Sequence, residues 1–209
     1  MANIDNAFGL RPSRYLNGAP YNGQANAYYV PDTDATALFI GDPVILAGSS
    51  NDTKMAGFGI GTLATVTQAT GGVASTEAVL GVVVAVDPLV GEGISDAGTA
   101  GRDATIYRQA SSGRVVWVAD DPQIVFEVQS DGTTVIADIG LNCQYIIGTG
   151  STITGISGGE LDDSEAATTL TDMLKILGVT KREDNTIGEF NVLDVIINQH
   201  QFRTGVVGL

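Results

Sequence analysis

The sequence predicts an all-β fold, an antiparallel β-sandwich or barrel of jelly-roll-like kind with an extended N-terminal arm and little helix. Short runs of Val, Ile, Thr, Tyr and Phe follow one another at close spacing, as strands do. The 27 glycines of the 209-residue chain, together with Asp and Pro, punctuate those runs with turn chemistry. Apolar residues almost nowhere recur at the three-and-four spacing of an amphipathic helix. A chain of this length buries a substantial core, and it shows no repeat of the 20–50-residue kind.

The runs can be taken in order. Residues 31–34 turn. Residues 37–40 and 44–46 are apolar and flank Gly41-Asp42-Pro43, where Pro43 marks a bend or a strand start because it donates no hydrogen bond. A Gly/Ser/Asn loop over 47–59 precedes an alternating strand at 60–67. Residues 79–86 read as a central strand, and 87–103 as a Gly-rich acidic loop. Strands are expected at 104–108, 115–118 and 124–129, the last two joined by Asp120-Asp121-Pro122-Gln123, in which Asp then Pro suits a type I turn. Trp117 and Phe126 are expected in the core on either side of that turn. The stretch 133–147 is either a short helix or a further strand. Residues 162–170 could hold one helical turn, since Asp162 and Asp163 suit a helix N-terminus. Strands at 173–179 and 192–202 close the chain. No firm domain boundary is visible. The reading is an arm over 1–30 and a β body over 31–209, with 148–172 as the one linker or insertion candidate.

The arm, MANIDNAFGLRPSRYLNGAPYNGQANAYYV, holds four of the six tyrosines. Gly9, Pro12, Gly18, Pro20 and Gly23 would interrupt a helix or a strand repeatedly. It is nevertheless too aromatic for a solvated tail, because disordered chains lack aromatics to bury. Such a segment lies either on its own domain or on a neighbouring subunit, where Tyr is favoured for its apolar body and wet tip. Phe8, Leu10, Tyr15, Tyr21, Tyr28 and Tyr29 are its candidate anchors. Arg11 and Arg14 are candidates to pair with carboxylates of a neighbour.

Composition narrows the function classes. The formal net charge is −14, from 24 acidic and 10 basic residues. The cations are scattered, so the clustered positive face that phosphates require is missing, and neither nucleic acid nor an anionic membrane surface is an expected partner. No run approaches the ~18 apolar residues of a membrane span, and no secretory signal is legible, which makes synthesis in a reducing cytoplasm the expectation. Cys143 is the one cysteine, set among Leu141, Ile146 and Ile147, and reads as a small core residue.

Catalytic constellations are thin. His200 stands alone, and zinc spacing is absent. Gly-x-Gly at 57–61, 91–93 and 148–150 lacks the strand and helix context of a nucleotide loop and reads as turns. Asp120 with Glu127, or Glu160 with Asp163, could serve as a glycosidase-type acid and base. Asp32 with Asp34, and Asp162-Asp163-Ser164-Glu165, offer oxygen ligands but no twelve-residue calcium loop. The expectation is no catalytic residue, no metal and no cofactor.

Several phrases, in order, carry a family resemblance: NAFGLRPSRYLNGAPYNGQANAYYVP, ALFIGDPVILAG, WVADDPQIVFEVQSDG, TGSTITGISGGELDD, MLKILGVT and VLDVIINQHQF. Over residues 3–203 the chain resembles the structural cement, or capsid decoration, proteins of tailed bacteriophages. Residues 50–105 carry little of the likeness. The resemblance implies a virion protein on the outer capsid surface, made in the host cytoplasm. It would bind the major capsid protein, bridge capsomers and stabilise the shell as a homo-oligomer, a dimer by preference or a trimer. The competing reading is an extracellular or fibre-associated carbohydrate-binding β domain.

Overall fold

The computed structural model describes residues 3–55, 57–72, 77–87 and 105–203. Eleven strands run in chain order: β1 Arg11–Tyr15, β2 Asn26–Val30, β3 Pro43–Ser50, β4 Ala64–Gln68, β5 Gly81–Val86, β6 Arg114–Ala119, β7 Ile124–Gln129, β8 Asn142–Ile146, β9 Glu160–Ala167, β10 Leu174–Val179 and β11 Val192–Ile197. The one helical element among the described residues is a single 3-10 turn, Ile136–Asp138. The fold is all-β, as the sequence predicts.

The strands divide into a six-stranded sheet, β1-β7-β11-β10-β8-β9, and a closed five-stranded barrel, β2-β4-β3-β5-β6. Every pairing between strands is antiparallel except β2 with β4, which meet in parallel at Tyr29 and Thr65. The turn at Asp120-Asp121-Pro122-Gln123 therefore connects no hairpin. It carries the chain from β6 in the barrel to β7 in the sheet.

Period-two alternation builds two apolar layers. Val44, Val66, Val83, Val116 and Val118 fill the barrel with Tyr28, Val30, Leu38 and Leu80. The second layer joins the sheet to the barrel wall: Phe126, Val128, Tyr145, Leu174, Ile176, Leu193 and Val195 pack with Val79, Val82 and Ala119. Val82 and Val83 on β5 thus serve opposite layers. The same logic turns Trp117 away from Val116 and Val118. It is half-buried rather than core, and its indole Nε1 donates to Asp87 Oδ1 at 2.7 Å.

Several local expectations change in the structure. Of the two places open to the N-terminal segment, the structure puts it on its own domain: β1 pairs along β7, and β2 is a barrel stave. Pro12 is admitted because β1 is an edge strand and its register shifts between Pro12 and Arg14. Residues 105–108 form no strand and make only the Leu38–Arg108 bridge; residue 104 lies outside the described residues. Residues 162–170 hold no helical turn. Leu161 pairs with Tyr145 and Asp162 with Gln144, so 160–167 becomes β9, tertiary pairing overriding a weak capping signal. The 148–172 stretch is no linker. Gly148 lies against Gly158 and Gly150 against the Phe39 ring, where a Cβ at either glycine would overlap its neighbour. This glycine-tight loop is stitched to the body through Ile40 N–Gly155 O, Ser157 N–Ile40 O and Gly9 N–Gly159 O.

Candidate interaction surface

The loop over 148–159 and the N-terminal segment form one face. Residues 3–10 run extended along the body, held by two side-chain amides. Asn3 Nδ2 donates to Thr186 O and Glu189 O, and Thr186 N returns a bond to Asn3 Oδ1. Gln129 Nε2 donates to Ile4 O and Phe190 O while its Oε1 accepts from Asn6 N. Gly9, with φ of 72°, packs against Gly41 O and Ser157, an approach closed to any side chain.

Two depressions flank this segment. An open groove of about 760 Å³ is lined by Ile4, Phe8, Phe190 and Ile156 together with Arg11, Arg182 and Asp184. A smaller apolar pocket of about 260 Å³ lies between Phe8, Leu10, Tyr21, Ile40, Val84 and Ile156. Phe8, Arg11 and Ile156 belong to both. From Ile156 the apolar surface continues. Gly155 abuts Ile106, Gly150 abuts Phe39, and Phe39 stacks on Tyr107 with ring centroids 4.9 Å apart. Ile4 (80 %), Ile153 (87 %), Ile106 (45 %) and Ile156 (41 %) are exposed along this band. Isolated exposed hydrophobics are ordinary; several on one face make it the candidate interaction surface.

The structure sorts the anchors expected from the sequence. Phe8, Leu10, Arg11 and Tyr21 meet at the apolar pocket, with the Arg11 guanidinium 4.9 Å over the Phe8 ring. Leu10 is itself buried at the pocket's edge rather than exposed as an anchor. Tyr15 contacts Tyr21, ring centroids 6.1 Å apart. Tyr28 and Tyr29 are not surface anchors. Tyr28 lies in the barrel with its hydroxyl donating to Asp120 Oδ2 at 2.6 Å, and Tyr29 packs on Leu63 and Val115. Burial and the Asp120 carboxylate both push the Tyr28 phenol well up from its ordinary value. Arg11 and Arg14 pair within the chain, with Glu127 and, at 3.1 Å, with Asp194. Arg182 joins the same Glu127 at 2.7 Å. Sequence reading missed Ile4, Phe39, Ile40, Ile106, Tyr107, Ile153 and Ile156. The signal was Ile153 and Ile156 themselves, two large apolar residues in a Gly/Ser/Thr loop too short to form a core.

The chemical candidates are absorbed by the fold. Asp120 receives both Asn26 and Tyr28, and Glu127 receives two arginines. Asp163 lies against Asp131, and burial plus that neighbouring acid push its carboxyl up to about 6. Among the described residues, no three His, Cys, Asp or Glu side chains gather to hold a metal ion. Cys143 is buried, which pushes its thiol well up. In the groove, the amides of Asn3, Gln129 and Asn185 are engaged with backbone groups, which leaves them poorly placed to read sugar hydroxyls. The Gly-x-Gly at 91–93 lies outside the described residues.

His200 is buried, and burial with Arg203 nearby lowers it to about 4. Its Nδ1 accepts from Phe202 N at 3.1 Å, a bond that protonation removes. Because the folded value lies below the unfolded value near 6.5, the neutral ring's contribution is complete above that pH. It is lost as pH falls towards 4, by up to about 3 kcal/mol. Asp163 works with the opposite sign: its raised carboxyl favours the folded state as pH falls through 6. Replacing His200 by Gln should therefore reverse the pH trend. Wild-type stability from urea titrations should be flat or falling from pH 7 to 5, whereas the His200→Gln variant should gain stability over that interval. Parallel profiles would show that His200 is not held neutral.

Compared with protein-family models, curated proteins and solved structures, the chain gives no match.

Proposed function

We propose that this chain is a non-enzymatic structural protein of a tailed-bacteriophage virion, which binds the outer surface of the capsid, bridges neighbouring capsomers and stabilises the shell. The observation that supports this reading is the set of apolar side chains from Ile4 and Phe8 through Ile156 and Ile153 to Ile106, on a face where the amides of Asn3, Gln129 and Asn185 are engaged with the chain's own backbone. The resemblance of the sequence phrases to capsid cement proteins is the other support for this reading. The apolar pocket between Phe8, Tyr21, Ile40 and Ile156 is sized for an anchoring side chain of the major capsid protein.

Burial of apolar surface contributes roughly 25 cal/mol per Å², much of it offset by the cost of association. Repetition over a closed shell multiplies modest contacts, and a dimer or trimer that touches two capsomers at once gains further through effective concentration. The net charge of −14 opposes contact with packaged DNA and suits an outer position.

The test is binding to purified shells that lack this protein. The double variant Ile153→Asp with Ile156→Asp changes two exposed side chains, so the β body should stay folded. Its affinity should fall by about thirtyfold or more, the effect of losing a central apolar anchor. Undiminished binding would remove this face from the interface. Binding to a glycan panel, with none to shells, would replace the capsid reading by a carbohydrate one.

A further inference from the structure

We propose that Asn22-Gly23 is a site of spontaneous deamidation, and that the fold protects the chain's other Asn-Gly pair, Asn17-Gly18. Both pairs are exposed in the connection from β1 in the sheet to β2 in the barrel. Asn-Gly is the dipeptide most prone to this chemistry, because glycine carries no side chain to hinder attack by its own backbone nitrogen. The nitrogen of the glycine loses its proton and bonds to the asparagine Cγ. The Cγ–Nδ2 bond breaks, ammonia leaves, and a succinimide ring closes. Water then opens the ring. Cleavage of the bond from nitrogen to Cγ gives aspartate, and cleavage of the bond from nitrogen to the backbone carbonyl carbon gives isoaspartate.

The two side chains are primed alike. Asn17 Oδ1 accepts from Ala19 N at 2.9 Å, and Asn22 Oδ1 accepts from Gln24 N at 3.2 Å, so both carbonyls are polarised. Asn22 Oδ1 also accepts from the Tyr15 hydroxyl at 3.4 Å. The nucleophiles differ. Gly18 N donates to Tyr15 O at 2.9 Å, inside a turn also tied by Tyr15 N–Ala19 O at 2.8 Å. Attack at Asn17 must first break that turn. Among the described residues, Gly23 N makes no such backbone bond. Gly18 and Gly23 are otherwise alike, with φ of 88° and 83° and open space where a Cβ would sit, so the backbone bond is what separates them.

The consequence is local and directional. Reaction at Asn22 adds a carboxylate beside Gln24 and Tyr15. Its isoaspartyl product also inserts a methylene into the backbone immediately after Tyr21, which lines the apolar pocket. Ageing of the protein would thus alter the rim of its apolar face at one defined residue.

The experiment is peptide mapping of the full folded chain after incubation in mildly alkaline buffer, with aspartyl and isoaspartyl forms quantified at both positions and the same measurement made in denaturant. In the folded chain position 22 should convert about ten times faster than position 17, the factor one protecting backbone hydrogen bond supplies. In denaturant the two rates should converge. The Asn22→Gln variant should abolish the fast phase of ammonia release and leave the slow one. Equal rates in the folded chain, or faster conversion at Asn17, would overturn the assignment. So would a folded chain in which Asn22 stays intact while the denatured chain reacts.

Discussion

Arg108→Met should destabilise the protein by about 2–6 kcal/mol, a large part of the 5–15 kcal/mol typical of a domain. The Arg108 side chain is fully buried, and its guanidinium serves four backbone carbonyls. Nε donates to Ser112 O at 2.8 Å, Nη1 to Thr36 O, and Nη2 to Pro31 O and Asp34 O at 2.6 and 2.8 Å. Asp34 Oδ1 stands 3.8 Å from Nη1 and offsets part of the burial that pushes the guanidinium down from its ordinary value. Methionine keeps much of the aliphatic volume and supplies no donor, so Thr36 O and Ser112 O would lose the donor they have here, while Pro31 O and Asp34 O would keep only the bonds from Asp34 N and Ser111 N. Lysine keeps the charge, but its donors radiate from one nitrogen and cannot reproduce the planar fork. Arg108→Lys should therefore recover only part of the loss. Urea titration reads both, as a midpoint shift at constant slope. A Met variant within about 1 kcal/mol of wild type would mean that the 31–36 turn does not depend on this side chain.

Nothing in the sequence marks Arg108 for that role. It ends an apolar run that reads as a strand, and three of its four partners are backbone atoms of residues far away in the chain, which no side-chain pattern records. The strands with full alternation were legible because their period carries both layers. Residues 79–86, 115–118, 124–129 and 173–179 all fall on or across observed strands. What period cannot give is the layer to which each face belongs. Val116 and Phe126 lie close in sequence across one turn, yet one fills the barrel and the other the sheet interface.

The candidate face was half legible for the same reason. Phe8 and Tyr21 announce themselves as aromatics without a local core. Tyr28 and Tyr29 look alike in sequence and are claimed by the barrel, because β2 closes it between β4 and β6. The glycines of 148–159 read as a linker, since composition does not separate freedom from close packing. In this loop glycine is needed because Gly158 O and the Phe39 ring occupy the space a side chain would take.

Phe126→Ala should cost about 3–5 kcal/mol, the range for truncating a buried aromatic ring. Phe126 is 1 % exposed on β7, which is paired on both sides by β1 and β11. Its ring belongs to the layer shared by the sheet's inner face and the barrel wall. The cavity would open between the two halves of the fold, where well-paired backbones limit collapse. The chain's single Trp117 lies on the barrel and Phe126 on the sheet, which gives the prediction a second readout. If the shared layer couples the halves, barrel fluorescence and the far-ultraviolet β signal should lose structure in one transition, shifted together by the substitution. Trp117→Ala, at a half-exposed position outside that layer, should cost less than half as much. A Phe126→Ala variant with an unchanged midpoint would place the ring outside the core. Two separated transitions in the wild type would show that the sheet and the barrel are stable independently, and that the layer between them is a contact rather than a common core.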